Sequence, residues 1–325
     1  MVLVGPTAVG KSALAVALAR RYRAEGRPAE VVSADSMLLY RGMDIGTAKP
    51  GPAERGGIPH HLLDVLDVTE TATVAEFQTL ARAAIADCLA RGVIPVVVGG
   101  SALYVRAVVD DFAFPGTDTV VRARLEADLA ELGPAGLHAR LSALDPRSAA
   151  TIGPGNGRRL VRALEVVELT GAPYAASLPE HRYRLPGVVQ IGLRIDRSTL
   201  DQRICDRVDA MWAAGFVQEV RALADRSPGL RAGVTASRAL GYRQLLAHLD
   251  GELTQEQARE QTVAGTRRFA RRQGGWFHRD PRITWLDWDR TDLVDAVRAV
   301  AGPGGEGASG EGADGARQAR PPVGD

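Results

Sequence analysis

The run Gly5-Pro6-Thr7-Ala8-Val9-Gly10-Lys11-Ser12 carries the spacing G-x-x-x-x-G-K-[ST], which can grip a polyphosphate. Its glycines let backbone N–H groups approach phosphate oxygens, and a helix starting behind the run adds its positive end. Lys11 offers a full charge to a terminal phosphate, and the Ser12 hydroxyl is placed to hold Mg²⁺. A second chemical feature is Asp35, flanked by hydroxyls in Ser33-Ala34-Asp35-Ser36. Three roles fit it: a carboxylate assisting Mg²⁺, a general base within reach of a substrate proton, or a plain cap. A third is Gly99-Gly100-Ser101, behind an apolar run with no carboxylate. The glycines there permit close backbone approach and Ser101 adds a hydroxyl; an ordinary strand-to-helix turn reads the same way.

Two arginine tracts stand apart from these motifs. Arg158, Arg159 and Arg162 share one helical stretch, and Arg267, Arg268, Arg271 and Arg272 share a broad face of another that contains no acid. Like charges on one face repel unless a partner neutralises them, and nucleic-acid phosphates are such a partner; a solvated face is the plain alternative. The formal net charge is only +1, so attraction to nucleic acid must come from local clustering. Cys88 and Cys205 match no metal-ligand spacing and read as small apolar helix residues in a reduced, cytoplasmic setting. His60-His61 has no cysteine or spaced carboxylate near it in sequence and reads as a turn or polar contact. No apolar run has the length of a membrane span. Met1 leads straight into a strand without room for a signal peptide, and the expectation is a start that omits a few residues.

The elements that must position these groups follow from hydrophobic pattern. Short apolar runs at 2–4, 30–34 and 93–98 read as buried strands, and 188–195 and 283–288 as later ones. Helical spacing covers 12–25, 74–91, 200–224 and 255–273. Strands alternating with helices predict an open parallel sheet with ligands at the carboxyl ends of its strands. All three motifs lie at such ends. Between about 117 and 187 no strong strand appears, and 120–132, 134–144 and 158–170 read as helices. The expected architecture is therefore α/β: a P-loop-type open parallel sheet flanked by helices, with a mainly helical insertion domain. Its parts are a core at 1–116 and 188–301, the insertion at 117–187, and a Gly-rich tail at 302–325 with too little apolar surface to order itself.

Taken together, the stretches GPTAVGKS (5–12), SADSMLLYRGMDIGTAKP (33–50), IPHHLLD (58–64), VVVGGSALYVRA (96–107), RRLVRALEV (158–166), QRICDRVDAMWAAGFVQEV (202–220) and ALGYRQ (239–244) resemble the tRNA dimethylallyltransferases, also called tRNA isopentenyltransferases. The resemblance runs from about Val2 to Trp288. It implies transfer of a dimethylallyl group from dimethylallyl diphosphate to the exocyclic amine of the adenosine 3′ of the tRNA anticodon. Mg²⁺ would be the cofactor, and the phosphate loop would hold a leaving group rather than ATP. It further implies that Thr7 to Ser12 and Arg203 bind the diphosphate, that Asp35 takes the amine proton, and that Ser101 orients the reacting groups. Asp35, Ser36, Met37, Leu38, Arg122 and residues 158–162 would touch tRNA, and the helical insertion would hold the anticodon stem-loop. A monomer without membrane attachment is expected. The glycines in Gln273-Gly274-Gly275-Trp276 stand where the family usually keeps larger residues, and the helix before them is expected over 255–273. From the residues alone, two other readings remain open: an ATP-dependent small-molecule kinase, and an RNA-binding module with a vestigial nucleotide loop. Label from dimethylallyl diphosphate entering tRNA separates the first reading from both.

Overall fold

Three consecutive buried residues make the first strand, β1 (Val2–Val4), and everything chemical is arranged around where it ends. In this computed structural model, which describes residues 1–111, 114–174 and 181–302, the chain divides into two compact units. One holds residues 1–109 and those from 185 onward; the other is Asp110–Arg184. After β1 come α1 (Lys11–Ala24), β2 (Ala29–Ser33), α2 (Pro52–Arg55), β3 (His60–His61), α3 (Val74–Ala90), β4 (Ile94–Gly99) and α4 (Ala102–Val109). The second unit supplies α5 (Thr119–Leu144), α6 (Pro146–Ile152) and α7 (Gly157–Thr170). The chain returns with β5 (Gln190–Arg194), α8 (Arg197–Ala213), α9 (Phe216–Ala224), α10 (Tyr242–Leu249), α11 (Gln255–Phe277), β6 (Ile283–Asp287) and α12 (Leu293–Ala301).

The strands form one six-stranded sheet in the order β3-β2-β4-β1-β5-β6, parallel at every pairing. Parallel strands need crossover connections, which put helices over the faces and force the inner strands to be apolar throughout. Leu3, Val31, Val96, Val98, Ile191 and Leu193 accordingly pack with Leu14, Leu18 and Tyr22 of α1 in the main core. β1, β2 and β4 are adjacent and parallel, so their carboxyl ends open on one edge. Residues 5–12, Asp35 and Gly99-Gly100 all leave from that edge.

Several sequence expectations change here. Of the two readings of His60-His61 the polar contact holds and the turn does not: the pair is a two-residue edge strand, Val31 pairing with His60 and Val32 with His61. Folding also brings the missing cysteine to it: Cys88 Sγ lies 3.7 Å from His61 Nε2, whose other neighbour is Glu30 Oε2 at 2.7 Å. Arg91 pairs with both oxygens of Glu30 at 2.9 and 2.8 Å and holds its carboxyl down to about 2. A guanidinium thus already supplies the cation of this cluster, which ties the edge strand to β2 and α3. The stretch 200–224 is two helices rather than one, because Gly215 at φ 98° takes a left-handed conformation that glycine adopts without steric cost. The arginine-rich helix does not stop at Gln273. It continues through Gly274 and Gly275 to Phe277, whose side chain is buried. Two helical glycines cost about 1 kcal/mol each, and burying a phenylalanine returns roughly 1.5–3 kcal/mol. The tail expected at 302–325 lies, beyond Gly302, outside the described residues.

The Asp110–Arg184 unit is helical among its described residues, with α5 bent at Gly133, where the backbone leaves helical geometry before Pro134. Leu125, Leu137, Leu141, Leu160 and Leu164 form its core. Asp110, Asp145 and Glu165 are buried charged residues of this unit, and Glu165 on α7 has no exposed surface.

Candidate active site

The loop of residues 5–10 turns at the end of β1 and feeds directly into α1, whose first residue is Lys11. Its ammonium folds back over the loop, donating to Gly5 O at 2.9 Å and Pro6 O at 2.7 Å. Burial, with Arg207 nearby, lowers its pKa to about 7 against the pull of Asp35. An anion placed on the loop would restore that charge. Arg203 of α8 is tethered to the same loop, its Nε donating to Ala8 O at 2.8 Å, and its guanidinium lies 4.4 Å from the Trp288 ring centre. Arg207 stands one helical turn further on and reaches Thr7 Oγ1 at 3.4 Å. Three cations therefore face one loop.

Asp35 leaves the end of β2 half-buried. Its Oδ1 accepts from Met37 N–H at 2.9 Å, which caps the turn at residues 36–39. Capping engages one oxygen; Oδ2 has no hydrogen-bond partner among the described residues. The cap and the chemical role thus coexist on one carboxylate.

Lys11, Asp35, Arg203 and Arg207 border a single cavity of about 900 Å³, within the size range of small-molecule sites. Thr7, Ala8, Gly10 and Ser12 line it too, as do Leu38, Gly99 and Gly100. Its apolar wall includes Val16, Val31, Leu38, Leu63 and Pro50. The wall segment containing Thr47, Ala48 and Pro50 is held from behind. Glu219 accepts from the backbone N–H groups of Asp44, Ile45 and Gly46 at 2.9, 2.7 and 3.2 Å. Lys49 is buried and donates to Tyr40 O, Asp44 Oδ1 and Asp64 Oδ1 at 2.7, 2.7 and 2.5 Å.

Of the residues expected from sequence, Gly5 and Pro6 contribute carbonyls to Lys11 rather than lining the cavity, and Val9 faces a neighbouring cleft of about 410 Å³ shared with Gly10 and Arg203. Ser36 and Met37 form the turn behind Asp35. Ser101 lies just beyond the lining glycines, its carbonyl accepting from Val105 N–H at 2.9 Å in the first turn of α4. Ser12 is exposed and lines the cavity, and a hydroxyl oxygen is a ligand type that Mg²⁺ takes.

The arginines separate into two kinds. Arg122 and Arg162 both pair with Glu165, and Arg162 also donates to Gly116 O and Pro115 O at 3.0 and 2.6 Å. Arg158 and Arg159 start α7, Arg158 exposed and Arg159 half-buried. On α11 the expected four-arginine face presents three exposed members, Arg268, Arg271 and Arg272. Arg267 is turned against α8, donating to Cys205 Sγ at 2.9 Å and Asp201 O at 3.3 Å. Sequence reading missed Arg207, Gln273 and Phe269, which also line the cavity. Arg207 had a readable signal, since it follows Arg203 by four residues on a helix and so shares its face.

The sequence model of a family described as IPP transferase matches residues 38–280. A tRNA dimethylallyltransferase of Thermobifida fusca is 63% identical over 287 residues, covering 88% of this chain and 89% of that one. One of Kineococcus radiotolerans is 65% identical over 285 residues, covering 87% and 89%. Among solved structures, a tRNA isopentenylpyrophosphate transferase of Bacillus halodurans superposes with a TM-score of 0.65 at 40% identity over 91% of this chain and 93% of that one. A eukaryotic dimethylallyltransferase acting on tRNA gives 0.75 at 28% identity, over 92% and 77%.

Proposed function

The chain belongs to the tRNA dimethylallyltransferase family, and we propose that the cavity shared by Lys11 and Asp35 is where its reaction occurs. The reaction moves a dimethylallyl group from dimethylallyl diphosphate to the exocyclic amine of the adenosine 3′ of the tRNA anticodon, releasing diphosphate. The amine nitrogen bonds to the allylic carbon as the carbon–oxygen bond to diphosphate breaks. Negative charge grows on the leaving oxygens, and an amine proton must go elsewhere. The loop N–H groups, Lys11, Arg203 and Arg207 stabilise the first; such preorganised charge is commonly the largest contribution to catalysis. Asp35 Oδ2 accepts the second. Mg²⁺ held by Ser12 and the diphosphate would supply further neutralisation of the leaving group. The acceptor base must leave its stack to enter, at a cost of roughly a few kcal/mol. Arginine contacts to RNA phosphates offset it. Exposed Phe269 and Trp276 among the arginines of α11 give bases stacking surfaces.

The observation that carries this reading is the common cavity: an anion cradle and a carboxylate with one open oxygen face the same space. Purified protein with unmodified tRNA, Mg²⁺ and labelled dimethylallyl diphosphate tests it. Label should enter tRNA, and Asp35→Ala should abolish transfer while diphosphate and tRNA still bind. ATP consumption without a tRNA requirement would instead return the kinase reading.

A further inference from the structure

Gln273 sits on α11 and is only 5% exposed, yet it borders the cavity. Its Oε1 accepts from Thr7 N–H at 2.8 Å. A backbone donor there fixes which end of the carboxamide is oxygen, so Nε2 points away from the loop as a pure donor. Among the described residues nothing accepts from Nε2. The opposite wall is shaped to leave it room: a Cβ on Gly100 would overlap Nε2. Water in the cavity can satisfy Nε2, and a ligand that displaces that water must supply an acceptor in its place.

We propose that Gln273 reads the acceptor base, donating from Nε2 to a ring nitrogen of adenine that flanks the reacting amine. This rests on the reading that the acceptor enters beside Asp35. The diphosphate is already served by the loop and its three cations, and a neutral amide adds little to them. The base edge is different. Adenine presents an N–H donor at its amine beside a ring-nitrogen acceptor, and glutamine is a usual partner of that edge. Asp35 as acceptor and Gln273 as donor complement this pair. Guanine offers an oxygen where the amine stands, which would face the Asp35 carboxylate unfavourably. Gln273 also joins the arginine-bearing helix to the loop through Thr7, so one side chain touches both substrates' surroundings.

The test uses synthetic anticodon stem-loops with adenosine, 1-deazaadenosine or 7-deazaadenosine at the acceptor position. The unmodified enzyme should lose about 5- to 100-fold in kcat/KM on one of the two analogues. Gln273→Met should lose a similar factor on adenosine and nothing further on that analogue. Gln273→Glu keeps an acceptor for Thr7 N–H but removes the donor, and should likewise lose discrimination. Equal use of all three acceptors by the unmodified enzyme overturns the proposal. So does a rise in KM for dimethylallyl diphosphate in both variants with the analogue ratio unchanged, which would leave Gln273 a support for the loop. Asp35→Asn on the adenosine stem-loop separates the two readings. Retained transfer there removes Asp35 as the proton acceptor and with it the placement of the amine on which this proposal rests, whereas lost transfer with no analogue effect removes Gln273 alone.

Discussion

Glu165 in the helical unit and Asp35 in the sheet unit are both carboxylates near arginines, and they are built for opposite ends. Glu165 is fully buried. It pairs with Arg122 and Arg162 and accepts from Asp118 N–H at 3.2 Å. Burial alone would raise its pKa, but the two guanidiniums outweigh it and hold the carboxyl below its ordinary value. Asp35 is half-buried, capped through one oxygen only and open at the other. The first region has its charges engaged and derives rigidity from that; the second leaves charge available where a substrate can meet it. Unsatisfied polar atoms at a cavity wall are the better guide to chemistry than arginine count.

Asp35→Asn breaks the comparison at its most sensitive point. Asparagine keeps an oxygen for Met37 N–H, so the turn survives and thermal stability should shift by less than about 0.5 kcal/mol. Loss of the base should lower single-turnover transfer by about 10²- to 10⁴-fold. Comparable losses of stability and rate would mean the carboxylate is structural after all.

Glu165→Ala should do the reverse. Removing one partner of a buried pair can cost 3–5 kcal/mol. Arg122 and Arg162 keep partial solvent access, at 38% and 22% of their side chains, so about 2–3 kcal/mol is expected in denaturant unfolding. The same linkage has a sign in pH. A carboxyl depressed in the folded state stabilises above its unfolded value and loses that contribution as pH falls through the folded one. The acid side of the stability curve should therefore flatten in Glu165→Ala, while KM for dimethylallyl diphosphate stays put.

How much of this was readable without coordinates follows the same divide. The phosphate loop and the sheet were legible because their signals are contiguous: residues 5–12 are one motif, and β1 and β4 are unbroken apolar runs. Asp35 was legible because its strand end could be placed. Gln273 was not, since its meaning comes from Thr7, far away in sequence, and glutamine in a helix is commonplace. The β3 strand was missed because two histidines carry no periodicity, and the Glu30–Arg91 cluster holding it is assembled from separate segments. Short helices such as α10 and α12 were unread because eight or nine residues give too few turns for a clear pattern. The pairing of Arg122 and Arg162 with Glu165 and of Arg267 with α8 was not legible, because a sequence does not reveal which arginines already have partners.

Lys11 sharpens the chemical side. Its pKa of about 7 belongs to the protein without an anion. Binding diphosphate favours the ammonium and takes up a proton. Affinity should be full below pH 7 and weaken as pH rises, by up to about tenfold per pH unit, until the bound-state pKa is passed. KM for dimethylallyl diphosphate measured across that range should climb, and Lys11→Arg, permanently charged, should flatten the climb. A flat profile in the unmodified enzyme would mean the lysine is charged before the ligand arrives.

The smallest expected effect concerns α11, where engaged and available arginines sit side by side on one helix. Each phosphate contact contributes about 0.7–0.9 to the slope of log affinity against log salt. Replacing exposed Arg268, Arg271 and Arg272 together with alanine should lower that slope for tRNA by roughly two units, with little change in folding. Arg267→Ala is the internal control. Its guanidinium is held by Asp201 and Cys205 of α8, so its loss should reduce stability and leave the slope where it was. If Arg267 instead moves the slope and the exposed three do not, a protein-bound arginine is recruited on RNA binding. The division between structural and available charge would then hold only for the RNA-free enzyme.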